Sequence, residues 1–156
     1  MADTHVPQYV LPEPLLDQLQ GCDLILHAGD LCTLGIIREL ERIAPVVAVH
    51  GNCDDESVLS ELPEERRIDC EGIPLLLLHG HRGRTAVVAA RTAAGRSGVR
   101  CIVFGHSHMA HNEWFNDVLL FNPGSPTWSR FNHGRSFGLI TIYGQLNATI
   151  VPLGDT

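Results

Sequence analysis

Cys101-Ile102-Val103-Phe104-Gly105-His106-Ser107-His108 carries the design on which the fold turns: an apolar run of strand length, a small residue, then side chains able to bind metal. The design recurs in Leu24-Ile25-Leu26-His27-Ala28-Gly29-Asp30, in Val46-Val47-Ala48-Val49-His50-Gly51-Asn52 and in Leu75-Leu76-Leu77-Leu78-His79-Gly80-His81. Continuous apolar runs read as strands buried on both faces. Helical patterns lie between them. Ile36, Ile37, Leu40 and Ile43 recur at helical spacing, with Thr33 placed to cap the helix and Pro45 to stop it. Thr85 to Gly95 is alanine-rich and similarly bounded. This alternation predicts an α/β fold with parallel pairing. After His108 short strands are expected at Trp114-Phe115, Val118 to Phe121, Phe137 to Tyr143 and Ala148 to Val151. Turn signals at Asn116-Asp117 and Gly144-Gln145 make two antiparallel hairpins of them.

In α/β sheets, side chains just past the carboxyl ends of the strands converge on one crevice. Asp30, Asn52, His79, His106 and His108 all fall at that position, and Asp3 and His5 supply a further pair. Aspartate, histidine and asparagine form a mixed oxygen and nitrogen set, suited to Mn, Fe, Zn or Ni rather than to calcium or a sulfur-rich structural zinc. There are more donors than one ion needs, which suggests two.

The 156 residues carry no long polar or low-complexity stretch, so one domain spanning 1–156 is expected. Apolar residues make up 44% and charged residues 19%, as suits a packed core rather than a disordered chain. Eleven basic residues stand against 18 acidic ones, a net charge of −7 that disfavours nucleic acid and anionic membranes as partners. No apolar run is long enough to cross a bilayer, and no signal peptide is apparent. Cys22, Cys32, Cys53, Cys70 and Cys101 are odd in number and scattered, which points to a reducing cytoplasm.

Taken in order, Asp3/His5, Gly29-Asp30, Gly51-Asn52, His79-Gly80-His81 and Gly105-His106-Ser107-His108 resemble the blocks of the calcineurin-like metallophosphoesterases, in particular the small YfcE-type branch. Asn122-Pro123-Gly124-Ser125 followed by Arg130 also resembles a loop of that branch. The resemblance covers nearly the whole chain. It implies a four-layer α/β/β/α sandwich of two mixed sheets flanked by helices. It implies one metal held by Asp3, His5, Asp30 and His108 and a second by Asp30, Asn52, His79 and His106, with Asp30 bridging. Manganese is the first candidate, with iron, nickel or zinc as alternatives. The implied reaction is hydrolysis of a phosphate ester, a small-molecule phosphodiester in this branch, by a hydroxide shared between the ions. Asp30, Asn52 and His106 are then the catalytic set, and Cys53, His81 and Arg130 face the substrate. A homo-oligomer is compatible with the pattern.

Two departures bear on this reading. Only Met1 and Ala2 precede Asp3, where the branch has a full strand, so the first strand reads as truncated and the first metal as weakened. Cys53 stands where larger branches carry a histidine general acid; a thiol beside two cations tends to ionise, leaving His81 or water to supply a proton.

Bland readings apply elsewhere. His27, His111 and His133 read as ordinary core or surface residues, and His50 as either a packing residue or a partner to a ligand. Asp54 and Asp55 read as turn and capping residues, and Arg82 and Arg84 as a solvated loop. The rival from another class is a non-catalytic interaction module on the same fold, like the retromer scaffold subunit. A scaffold can lose ligands, whereas this chain has all of them. A nuclease of the same superfamily would be expected to add domains or a basic groove.

Overall fold

The computed structural model describes residues 1–8, 10–128 and 130–154. The elements run α1 (Glu13–Leu19), β1 (Ile25–Ala28), α2 (Gly35–Leu40), β2 (Val46–Val49), α3 (Glu56–Glu61), β3 (Glu65–Cys70) and β4 (Ile73–Leu78). They continue as α4 (Ala86–Ser97), β5 (Cys101–Val103), β6 (His111–Phe115), β7 (Val118–Asn122), β8 (Arg135–Ile142) and β9 (Leu146–Leu153). One sheet has five strands in the order β3-β4-β5-β7-β6, and β1-β2 and β8-β9 form separate two-stranded ladders. β1 and β2 pair in parallel, as do β4 with β5 and β5 with β7. The hairpins β6-β7 and β8-β9 are antiparallel, as the turn signals predict.

Three apolar clusters stack these elements into the expected four layers. Leu15 and Leu19 of α1 and Ile36 and Leu40 of α2 pack with Ile25, Ala48, Phe137 and Leu153. The opposite faces of the same ladders meet the five-stranded sheet: Ala28, Val49, Ile140 and Ile150 lie with Leu75, Leu77, Val103 and Phe121. On the far side, Ala86, Ala90 and Ala93 of α4 cover Leu76, Ile102 and Leu120. Small residues on α4 let helix and sheet approach closely. Strands that bury both faces read as unbroken apolar runs, which is why the sequence shows them so plainly.

Gly138 sits at the tightest point between layers: a Cβ there would lie 2.3 Å from Cε1 of Phe121, a ring only 1% exposed. Gly138→Ala is expected to destabilise the fold by about 1–3 kcal/mol through overpacking, read as a lower urea midpoint at unchanged slope. An unchanged midpoint would show that the ring moves freely.

Several local features differ from expectation. Thr33 does not cap α2; Leu34 occupies that position without a side-chain bond, and the helix ends at Leu40, short of Ile43. Thr85 does cap α4, accepting from the Val88 N–H, and Gly98 closes it with φ 60°. The helices α1 and α3 and the edge strand β3 carry weak patterns and were not anticipated. β3 is mostly exposed and polar, as an edge strand can be.

The segment Met1 to Val6 lies along the end of β1. Ala28 N–H donates to Met1 O, Asp3 N–H to Gly29 O and His5 N–H to Asp30 O, each at 3.0 Å, and Val6 bridges in parallel to Cys32. On its other side Ser125 Oγ donates to Asp3 O at 2.7 Å and Thr127 Oγ1 to Thr4 O at 2.9 Å. Short as it is, the segment is thus bonded on both sides.

Candidate metal centre

Asp3, His5, Asp30, His79 and His108 come together at one end of the strands, and all five are buried. His79 follows β4 and its Nε2 lies 3.3 Å from Asp30 Oδ2 and 4.0 Å from Asp3 Oδ1. His108 Nε2 is 3.6 Å from Asp3 Oδ1, and His5 Nε2 is 4.0 Å from Asp30 Oδ2. His5 and His108 bring their Nε2 atoms to 3.2 Å of each other, with the rings stacked.

Second contacts aim these donors. His79 Nδ1 lies 2.8 Å from Ala28 O. A carbonyl can only accept, so Nδ1 carries a proton and Nε2 is turned toward the carboxylates; Nε2 is buried without a hydrogen-bond partner of good geometry. Asp3 accepts from the His106 N–H, holding the turn that carries His106 and His108. Asp30 Oδ1 accepts from the Cys53 N–H at 2.8 Å. Gly51 is required here because a Cβ would fall 2.2 Å from Asp30 Oδ1.

The backbone is strained at the same residues. Asp3, His5, Asp30, His106 and His108 all have φ between 48° and 72°, the left-handed region that side chains rarely enter. Such strain persists only where surrounding structure enforces it, and it clusters at functional sites.

Electrostatics accompany the geometry. Burial pushes the Asp3 carboxyl up to about 7 despite the opposing pull of His79. Burial acts the same way on Asp30, but His79 and the Cys53 N–H outweigh it and hold Asp30 below the usual carboxylate range. Burial, then the neighbouring His5, brings His108 down to about 4, and burial likewise lowers His5 and His106. His5, His106 and His108 are thus held toward the neutral form, whereas burial, which lowers His79, is outweighed there by Asp30 and Asp3, which raise it. That donor set suits divalent cations, whose charge would offset the buried acids.

The remaining predicted residues lie at the rim. His106 is half-buried, its ring 5.2 Å from that of His79. His81 is half-buried, 5.5 Å from His79 and 6.4 Å from His106 by ring centroids. Asn52 is exposed, and its side-chain amide donates to Cys53 Sγ at 3.3 Å, outside the carboxylate–imidazole cluster. Burial, then the Asp30 carboxylate, pushes the Cys53 thiol up to about 12. Arg130 approaches through its stack on Trp128.

Sequence reasoning noted Asp54 as a turn residue and Asn122 to Ser125 as a loop of the branch, but not the contacts by which they support the site. Asp54 accepts from the N–H groups of Asp30, Cys32 and Gly51, clamping the β1 and β2 loops together. Asn122 donates to Gly105 O and Ser107 Oγ, and Ser125 secures Asp3. Asp55 is a cap, as expected, accepting from Val58 N–H. His27 is a core residue whose Nε2 lies 3.0 Å from Thr4 Oγ1, while its Nδ1 is buried without a partner.

Carboxylates and imidazoles gathered at the strand ends of a layered α/β fold form a candidate site for divalent metal. The chain belongs to the calcineurin-like phosphoesterase superfamily, whose domain matches residues 1–145. It is 36% identical over 160 residues to a probable metallophosphoesterase of Methanothermobacter thermautotrophicus, covering 99% of this chain and 91% of that one. It is 27% identical over 111 residues to the phosphodiesterase YfcE of Escherichia coli, covering 67% and 58% respectively. In fold it is similar to Vps29 of Chaetomium thermophilum, at TM-score 0.79 and 19% identity over 98% of this chain and 94% of that one. The protein is a metal-dependent phosphoesterase.

Proposed function

We propose that the chain hydrolyses small-molecule phosphodiesters at a centre of two divalent ions. The observation that carries this is the burial of Asp3, His5, Asp30, His79 and His108 around one point, on left-handed backbone, with His79 Nε2 left unpartnered. Asp3, His5, Asp30 and His108 would hold one ion, and Asp30, Asn52, His79 and His106 the other. Two such ions supply Lewis acidity toward a phosphoryl oxygen and activate water near neutral pH. The chain's own part is positional. Asp30 sits between the two ligand groups, and Ala28 O locks the His79 ring with Nε2 inward. Arg130 balances charge on the phosphoryl oxygens. Cys53 and His81, at the rim, face the ester substituents.

Manganese fits the mixed donors best, with iron, nickel or zinc next. The five cysteines are free, consistent with a reducing cytoplasm. Among the described residues no helix is long and apolar enough to cross a membrane. A scaffold role is the other use of such a fold, but it requires neither the strained ligand backbone nor a cluster of inward-facing imidazoles.

The test is removal and return of metal. Chelated protein should lose hydrolysis of bis-p-nitrophenyl phosphate, and manganese should restore it at about two ions per chain. The diester should turn over faster than p-nitrophenyl phosphate. Saturating ion at about 100 times Kd should also raise stability by about 2.7 kcal/mol. Full activity in metal-free protein would refute the reading; saturation at one ion would refute its two-ion form.

A further inference from the structure

The loop after Ser125 places an indole and a guanidinium against the metal centre. Trp128 stands with its ring perpendicular to that of His108, 88° at 4.9 Å between centroids, yet 40% of the residue is exposed. It is not a loose surface residue: its N–H donates to Ser125 Oγ at 3.1 Å, and that hydroxyl donates to Asp3 O at 2.7 Å. Through that backbone N–H, one short relay ties the loop at Trp128 to the segment that carries Asp3 and His5. The Arg130 guanidinium lies 5.4 Å from the indole centroid. Arg82, Arg91 and Arg96 each pair with a carboxylate, of Glu64, Glu113 and Glu65, whereas among the described residues Arg130 has none.

We propose that Trp128 and Arg130 form the substrate-binding wall of this site, Arg130 taking the phosphoryl oxygens while the Trp128 indole stacks on a planar aromatic or heteroaromatic substituent of the ester. This rests on the phosphodiesterase reading and narrows its substrate class. A guanidinium without a carboxylate partner suits an anion, and its planar fork matches phosphoryl oxygens. A half-exposed indole braced at the rim offers a flat face at little conformational cost, and any planar ring can use it.

The test uses metal-reconstituted protein and two non-hydrolysable probes, phenylphosphonate and methylphosphonate, titrated calorimetrically. Wild type should bind phenylphosphonate about tenfold more tightly than methylphosphonate. Trp128→Ala should weaken phenylphosphonate to the level of methylphosphonate and leave methylphosphonate unchanged. Trp128→Phe should recover most of the preference, and Arg130→Gln should weaken both probes alike. Equal weakening of both probes by Trp128→Ala, or a phenyl preference that survives it, overturns the aromatic wall while leaving the phosphodiesterase reading intact. If loaded wild type binds neither phosphonate and hydrolyses no diester, the phosphodiesterase reading itself fails.

Discussion

Asp30→Asn should lower turnover of bis-p-nitrophenyl phosphate by roughly 10³-fold or more while the protein still folds. Among the described residues, this is the one carboxylate within 4.0 Å of both His5 Nε2 and His79 Nε2. An amide keeps its size and one carbonyl oxygen, so the bond from the Cys53 N–H can persist. What it removes is charge and the second anionic oxygen, the features a shared ligand to two cations needs. Metal content, read by elemental analysis, should fall in parallel. The variant also tests the electrostatics. Asp30 is held below the usual carboxylate range in the folded protein, so its charge contributes stability that is present above the unfolded value and lost as pH falls through the folded one. The amide should therefore flatten acid-side loss of stability in metal-free protein. Wild-type turnover by this variant, at wild-type metal content, would sink the mechanism.

Asp54→Ala is expected to cost about 3–5 kcal/mol in urea unfolding and to weaken metal binding by about 10–100-fold, although no ligand role is assigned to it. Its two oxygens accept from three backbone N–H groups: Cys32 at 2.6 Å, Gly51 at 2.6 Å and Asp30 at 3.1 Å. Alanine would strand all three donors in a half-buried turn and free the β1 loop from the β2 loop. Asp54→Asn keeps one acceptor oxygen and should fall between the two. Because the loops carry Asp30 and Asn52, lost stability and lost metal affinity should move together across both variants. Metal affinity unchanged in Asp54→Ala would show that the loops hold their geometry by packing alone.

Much of the architecture could be read along the chain because its signals are local. A strand buried on both faces must be apolar throughout, so β1, β2, β4 and β5 announce themselves, and the glycine–ligand pairs after them mark one edge of the layers. The hairpins were equally plain: Asn116 and Asp117 take φ of 46° and 64°, as a tight turn between twisted strands requires. Signals failed where the pattern is weak or shared. Pro12, Glu13 and Pro14 open α1 without an oxygen-bearing cap, and β3 is too polar and exposed to stand out. Thr33 looked like a cap because its residue type is right, but the chain enters α2 one position later, at Leu34.

Residue order by itself determined which donors stand at strand ends and that carboxylates and imidazoles dominate them, because strand burial and turn chemistry act over a few neighbouring residues. Only the tertiary structure decided that His5 meets His108 across 103 positions of sequence, that Asp54 joins two loops, and that Trp128 and Arg130 stand beside the cluster. Those relations depend on how separately formed segments pack and on left-handed backbone at Asp3, His5, Asp30, His106 and His108. No local preference favours that backbone in isolation. It is stable only when hydrogen bonds and burial from other parts of the chain outweigh its strain.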